Sequence, residues 1–284
     1  MRALRCLLLA SLVAAPAVAD DLTWLTMEFP PFYIHSGAQK GQGIADEVTH
    51  ILERHLSGYT FGEELAEPAA IMTRLKAGDH VCSAAYIRTP ERERVLAFSL
   101  PDLILPPNGI TVRKDAVAKV SGGKPGPVSL AQLLANPNLR MAVAIGRSYG
   151  PLDGLLEKYK NSPHVYWRRG EDIYRSLFDM LMKGSVDYIV GYPYEAVYVA
   201  RERNVEGQVV TLPLVELPEY TLAHVVCPKT DWGRKVIGEI DRALAQERTR
   251  AGYREAIERW LDPALHTEFR RQYQERFLAA AGGP

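Results

Sequence analysis

Residues 80–99 read HVCSAAYIRTPERERVLAFS and contain a strand that leads directly into a helix start. Thr89 and Pro90 are residue types favoured at the N-cap and at the first helical position. Arg92 and Arg94 follow in the first turns, where the helix macrodipole disfavours cations. Either solvent or a bound anion therefore covers these charges. A carboxylate held by Arg92 is the functional interpretation, and local ion pairing on a solvated helix face is the alternative.

Three further segments end in the same way, with a short apolar strand followed by turn or helix-start residues. They are residues 22–27, 141–145 and 186–190. Helical periodicity lies between and after them, at 44–52, 71–75, 152–159, 173–181 and 236–277. Alternating strands and helices predict an α/β fold with parallel sheets. Since ligands bind beyond the carboxyl ends of parallel strands, the four loops are the site candidates.

A spacing that occurs twice in the sequence indicates two similar lobes. Gly78 follows a helical segment and precedes Tyr86 by eight residues, and Gly184 precedes Tyr192 by the same distance. This spacing fits a helix that ends at a glycine and is followed by a buried strand.

The N-terminus has the features of a cleaved signal peptide, residues 1–19. Arg2 and Arg5 precede an apolar stretch that ends in Ala17-Val18-Ala19. Arg5 directly precedes Cys6, so no lipid anchor is expected. We therefore predict an exported, periplasmic protein. Its remaining 265 residues carry 32 basic and 34 acidic side chains, which gives no indication of nucleic-acid binding.

Two further sequence patterns occur, one typical of a serine hydrolase and one typical of a metal site. Residues 146–150 match G-x-S-x-G, with Asp187 and His224 or His266 in the chain order of a serine hydrolase. A glycine turn before a helix is equally typical of a plain anion site, which is the favoured interpretation.

A Cys2His2 metal site is suggested by His80, Cys82, His224 and Cys227. We expect no metal, because His224 and Cys227 are an odd number of residues apart on a strand. Buried thiols and one disulfide both remain open.

Several segments together resemble the bacterial extracellular solute-binding proteins of family 3. They are residues 28–32 (EFPPF), Gly43-Ile44, 89–92 with 97–99, and 109–115. The resemblance implies the two-lobed type 2 periplasmic-binding-protein fold, in which each lobe is a mainly parallel sheet flanked by helices. It implies two hinge strands, with lobe 1 at 20–110 and 222–284 and lobe 2 at 111–221.

The resemblance also implies a site. Phe29 stacks on the ligand, Arg92 with Thr89 holds a carboxylate, and Ser148 binds from the second lobe. Members of this family usually have an acidic residue after the second-lobe strand, and this sequence has Tyr192 at that position. Glu195 or Glu28 is therefore expected to accept hydrogen bonds from the ligand. The complete set of expected ligand-binding residues is Glu28, Phe29, Tyr86, Thr89, Arg92, Arg147, Ser148, Tyr192 and Glu195.

The expected function is capture of a small carboxylate-bearing or amino-acid-like ligand for an ABC importer in the inner membrane. We expect a monomer without cofactor. The alternatives are a lyase of the same fold, similar to cyclohexadienyl dehydratase, a serine hydrolase using Ser148, and a sensor or partner of a membrane protein.

Overall fold

The computed structural model describes residues 19–123, 126–170 and 173–282. The predicted signal peptide therefore falls, except for Ala19, outside the described residues. Within them, no helix combines the length and the apolar character that a membrane crossing requires.

The strands form two five-stranded sheets. The first has the order β2-β1-β3-β10-β4 and the second the order β7-β6-β8-β5-β9. Their bounds are β1 Asp20–Thr26, β2 Tyr59–Leu65, β3 Val81–Ile87, β4 Leu96–Leu105, β5 Gly109–Arg113, β6 Met141–Ala144, β7 Val165–Arg168, β8 Tyr188–Gly191, β9 Val209–Leu212 and β10 Thr221–Pro228.

Eleven α-helices among the described residues cover the sheets and form the C-terminal tail. Their bounds are α1 Ile44–Glu53, α2 Pro68–Ala77, α3 Pro90–Glu93, α4 Val117–Ser121, α5 Leu130–Ala135, α6 Asp153–Lys158, α7 Ile173–Met182, α8 Pro193–Glu202, α9 Asp231–Glu247, α10 Ala251–Glu258 and α11 His266–Gln272. A π-helical segment, Tyr273–Leu278, continues α11.

Each sheet is mixed rather than mainly parallel. β1 pairs in parallel with β2 and β3, and β6 pairs in parallel with β7 and β8. The antiparallel pairings involve β10 in the first sheet and β5 in the second. The chain passes between the sheets at 106–108 and again at 213–220. This is the two-lobed α/β architecture that the sequence predicts.

The sequence patterns that predicted the helices and strands are visible in the structure. The apolar residues of α1 face the core, with Ile44, Val48 and Leu52 all inaccessible to solvent. α2 ends at Gly78, whose φ of 87° lies in the left-handed region that glycine adopts without strain. The next strand, β3, then lies in the sheet interior and carries Tyr86 near its end. The second sheet repeats this arrangement with α7, Gly184 and β8. The predicted structural repeat between the lobes is therefore confirmed.

The topology fixes where the four candidate loops lie. β1 and β3 are adjacent and parallel, so the loops after Thr26 and Ile87 leave the first sheet at one edge. β6 and β8 are likewise adjacent and parallel, so the loops after Ala144 and Gly191 share one edge of the second sheet.

A disulfide settles the question that the cysteines left open. Cys82 on β3 is bonded to Cys227 on β10, and both residues are fully buried. The two histidines of the considered metal site have other partners. His80 stacks on Trp232 at 4.3 Å, and His224 Nδ1 lies 2.8 Å from the Ser99 carbonyl. The Cys2His2 arrangement is therefore not formed.

We predict that the double variant Cys82→Ala/Cys227→Ala is destabilised. The bond closes a loop across a sequence separation of 145 residues, and loss of such a bond costs about 2–5 kcal/mol. Thermal unfolding of the protein expressed as residues 20–284 should give a Tm that is lower in the variant than in the wild type by roughly 5–15 °C. A reductant should lower the Tm of the wild type and leave that of the variant unchanged. Equal Tm values for the oxidised wild type and the variant would contradict the prediction.

Candidate functional site

Aromatic rings from the two lobes meet at the facing loops. Phe29 and Phe32 follow β1 and stack with 5.0 Å between ring centroids. Tyr192 and Tyr194 follow β8 and approach them from the other lobe. Tyr192 lies 6.2 Å from Phe29 and 6.0 Å from Phe32, and Tyr194 lies 5.7 Å from Phe32. We call these four residues the aromatic cluster. Since it joins both lobes, the two strand edges face each other across it.

The start of α1 fixes the first-lobe half of the aromatic cluster. The backbone N–H groups of Ile44 and Ala45 donate to the carbonyls of Pro31 and Phe32, each at 2.8 Å. A Cβ atom at Gly43 would lie 2.4 Å from the Phe32 carbonyl oxygen, so the close approach needs glycine. This contact explains why a Gly-Ile pair accompanies the EFPPF segment.

A buried ion pair forms the second-lobe half of the site. Arg147 donates to both oxygens of Glu195, at 2.6 and 2.7 Å. Glu195 is 3% exposed, and it also accepts the Tyr192 N–H at 2.8 Å. Burial lowers the pKa of Arg147, but the charge and hydrogen bonds of Glu195 raise this pKa above the usual arginine value. The guanidinium therefore remains charged.

Three aromatic rings surround the Arg147 guanidinium. Its central carbon lies 5.4 Å from the ring centroid of Phe29, 5.2 Å from that of Tyr149 and 5.5 Å from that of Tyr192. These distances are within the range of cation–π attraction. Because Phe29 belongs to the first lobe, Arg147 also contributes to the contact between lobes.

A second guanidinium lies at the end of β3. Arg92 Nη1 donates to the Ile87 carbonyl at 2.8 Å, and the guanidinium carbon lies 5.2 Å from the Tyr86 ring centroid. Thr89 caps α3 by accepting the Arg92 N–H at 3.3 Å. In the described part of the chain Arg92 forms no ion pair. Arg94, by contrast, has a side chain that is 71% exposed and lies 3.8 Å from Glu91.

The expected site residues thus fall into three sets. Phe29, Arg147, Tyr192 and Glu195 are in mutual contact, and Tyr86, Thr89 and Arg92 form a group at the neighbouring strand end. Glu28 and Ser148 are exposed and lie outside these contacts. The residues that the sequence-based prediction missed are Phe32, Tyr149 and Tyr194, each of which directly neighbours a predicted residue or lies within a quoted motif.

Ser148 has the contacts of a loop-stabilising residue. Its hydroxyl donates to Asp153 at 2.6 Å and accepts the Gly150 N–H at 3.1 Å. Asp187 is bound to Lys119 at 2.7 Å and to the Arg140 N–H. The two candidate histidines have other partners, since His224 lies 2.8 Å from the Ser99 carbonyl and His266 lies 3.1 Å from Glu258. The proposed Ser-His-Asp constellation is therefore not assembled.

The segment before Tyr86 is held in an unusual backbone conformation. Ala85 has a φ of 64°, which is rare for residues other than glycine. The carboxylate of Asp102 accepts the Ala85 N–H at 3.0 Å, and the Tyr33 hydroxyl contacts both backbone polar groups of Ala84 at 3.2 Å. These buried side chains position the strand end from which Tyr86 projects.

A cavity of about 390 Å³ lies beside the ion pair. Its lining includes Arg147, Tyr149 and Trp167 and comes entirely from the segment 144–169 of the second lobe. Its volume is in the range of small-molecule sites. None of the four residues of the aromatic cluster lines this cavity.

No protein-family profile matches the chain, and no curated protein matches it significantly in sequence. Solved structures do match. One is a histidine kinase sensor domain with similarity to periplasmic binding proteins, at 17% identity and a TM-score of 0.61, covering 87% of this chain and 99% of that one. Another is the probable amino-acid ABC transporter extracellular-binding protein ytmK from Bacillus subtilis, at 16% identity and a TM-score of 0.63, covering 87% and 99%.

A third match is an ancestral amino-acid-binding protein described as a precursor of cyclohexadienyl dehydratase. It is 18% identical, with a TM-score of 0.59 over 86% of this chain and 96% of that one. At these identities the likeness establishes the fold. The chain has the two-lobed fold of the periplasmic binding proteins, as the resemblance predicted.

We predict that Arg147 and Glu195 are strongly coupled in stability. Arg147→Met leaves a buried carboxylate without its partner and should cost about 3–5 kcal/mol. Because Glu195→Gln removes that charge, the double variant should lose less than the sum of the single variants, with a coupling of about 1–3 kcal/mol. Urea unfolding of the three variants measures this coupling. The exposed pair Glu91–Arg94 is the control and should couple by less than about 1 kcal/mol. Additive losses at Arg147 and Glu195 would contradict the prediction.

Asp102 generates a pH-dependent prediction. Burial raises the pKa of its carboxyl from 3.8 to about 7. The folded protein then retains a proton that the unfolded chain releases, so this group lowers the free energy of unfolding as the pH rises from about 4 to about 7. Asp102→Asn should remove this contribution, so the free energy of urea unfolding of the variant minus that of the wild type should rise between about pH 4 and about pH 7. A variant that keeps the slope of the wild type would contradict the assignment.

Proposed function

We propose that this chain is a periplasmic solute-binding protein that captures a small carboxylate-bearing ligand between its two lobes. The observation that carries the proposal is Arg92, a half-buried guanidinium without an ion-pair partner among the described residues. It lies at the end of β3, at the edge where the loops of the first lobe face the second.

The geometry of Arg92 suits recognition of an anion. The bond from Nη1 to the Ile87 carbonyl and the contact with Tyr86 orient the guanidinium. The remaining N–H groups can then form charge-assisted hydrogen bonds, which contribute about 1.5–3 kcal/mol each. Thr89 holds the backbone of Arg92 through its cap and lies beside the same anion position.

The aromatic cluster supplies the walls of the proposed site. Phe29 and Tyr192 approach from opposite lobes, and Tyr86 lies beside Arg92. Rigid aromatic side chains bury large areas at small conformational cost, which suits a cleft that closes on a ligand. We propose that a ligand separates Phe29 from Tyr192 and lies between their rings, with Glu28 and Ser148 at the exposed rim.

Delivery to an ABC importer is the role we propose for the loaded protein. The fold likeness to an amino-acid transporter binding protein supports it, as do the features of a signal peptide at residues 1–19. We propose the lobe division expected from the sequence, with residues 20–110 and 222–284 in the first lobe and residues 111–221 in the second. The sheets shift its boundaries slightly, because Gly109 and Ile110 lie in the second sheet and Thr221 lies in the first. The proposed protein acts as a monomer.

Sensing is the second candidate function. The chain matches 99% of a histidine kinase sensor domain, so a signalling partner in the membrane is compatible with the same ligand site. Genes for a permease and an ATPase beside this gene would favour import, and a gene for a membrane sensor would favour signalling. A lyase activity has one direct test, which is product formation from prephenate.

We predict that Arg92→Ala weakens binding of carboxylate ligands at least tenfold. The loss of one or more charge-assisted hydrogen bonds accounts for this size. The measurement is isothermal titration of the mature protein with each member of a panel of small carboxylates that binds the wild type.

Arg94→Ala is the matched control, because Arg94 lies two residues away and is mostly exposed. Its affinities should equal those of the wild type within a factor of two. If Arg92→Ala and the wild type bind equally well, the anion clamp is wrong.

A further inference from the structure

The charged groups of the proposed site are unequal in number and in availability. Arg92 and Arg147 contribute two guanidinium groups, whereas Glu195 is the buried carboxylate that contacts the cluster. Arg92 has no ion-pair partner within 19–123, 126–170 and 173–282. Glu195 has one that uses both of its oxygens. The proposed site therefore contains a cation without a counterion in those ranges, Arg92, and a carboxylate that is already paired, Glu195.

The carboxylate of Glu195 already accepts several hydrogen bonds. Two guanidinium N–H groups and the Tyr192 N–H point at its oxygens, at 2.6, 2.7 and 2.8 Å. The side chain is 4% exposed, so water does not compete for the remaining lone pairs. An incoming ammonium group would have to displace Arg147 to reach this carboxylate.

Displacement of Arg147 is unfavourable for two reasons. The guanidinium is attached to the same lobe as Glu195, so its effective concentration is high and a free ligand competes poorly. Its planar fork also matches the carboxylate bidentately, which an ammonium group does not. Departure of Arg147 would in addition end its contacts with the rings of Phe29, Tyr149 and Tyr192.

Two other carboxylates near the loops do not replace Glu195. Glu28 is exposed, so water solvates its charge. Asp153 accepts the Ser148 hydroxyl and the Tyr149 N–H, each at 2.6 Å. Neither is a buried and free acceptor for an ammonium group. Asp102 has one buried oxygen without a hydrogen-bond partner, but this residue is inaccessible to solvent in the core of the first lobe. A buried ammonium without an acceptor is strongly disfavoured.

We infer that the ligand of this cleft is an organic carboxylate that carries no ammonium group. Arg147 already pairs with Glu195, the buried carboxylate that a ligand cation would otherwise contact. This inference rests on the proposed function and narrows its ligand class from amino-acid-like molecules in general to carboxylates without an amine.

Matched ligand pairs test the inference, because their members differ only in the ammonium group. The pairs are 3-phenylpropanoate and L-phenylalanine, 4-methylpentanoate and L-leucine, and glutarate and L-glutamate. Isothermal titration of the wild-type mature protein should show that the amine-free member of any pair that binds is at least tenfold tighter.

Arg147→Met tests the cause of this preference. Without the guanidinium, Glu195 becomes free to accept an ammonium group, so the preference for the amine-free member should fall at least tenfold. The double variant Arg147→Met/Glu195→Gln has lost that carboxylate, and the original preference should return. If Arg147→Met does not fold, the ratio of affinities in the wild type still decides the inference.

The outcomes separate the two proposals. If the amino acid of a pair binds the wild type as tightly as its amine-free partner, or more tightly, the inference is overturned and the solute-binding function stands. If no member of any pair binds, the carboxylate-binding function fails and the inference fails with it. A preference that is the same in the wild type and in Arg147→Met would overturn the role of Arg147.

Discussion

The buried ion pair between Arg147 and Glu195 is the constraint on which the cleft depends. It joins the loop after β6 to the start of α8, so the two second-lobe loops form one unit. The same guanidinium contacts Phe29, and this contact connects the unit to the first lobe. A buried ion pair is costly to desolvate, and it is maintained here by bidentate geometry and surrounding rings. In the proposed site, this pair sets the charge that the second lobe would present to a ligand.

The first lobe is organised around β3. The disulfide holds β3 to β10, and Asp102 and Tyr33 fix the backbone just before Tyr86. The strand then delivers Arg92 at its carboxyl end with the guanidinium oriented by the Ile87 carbonyl. The two halves of the cleft therefore differ in character. The first lobe presents an available cation, and the second presents a cation that is already neutralised.

Local signals account for what the sequence predicted. β1, β3, β6 and β8 are interior strands with apolar runs, and all four were located within about two residues. β2 is an edge strand that contains Glu63 and Glu64, and it gave no such signal. Thr89 and Pro90 mark the helix start beside Arg92, but only its position after a buried strand and the family resemblance single it out, and its role in binding stays a prediction. The pairing of Arg147 with Glu195 spans 48 residues, and that of Cys82 with Cys227 spans 145. Such contacts depend on tertiary structure, so the sequence leaves the disulfide open and does not indicate that Arg147 pairs with Glu195.

The most direct test is a crystal structure of the protein with the small molecule that copurifies with it. The account predicts a carboxylate on the Arg92 guanidinium, with the body of the molecule between Phe29 and Tyr192 and the Arg147–Glu195 pair intact. A molecule whose ammonium group contacts Glu195, or one bound away from Arg92, would contradict it.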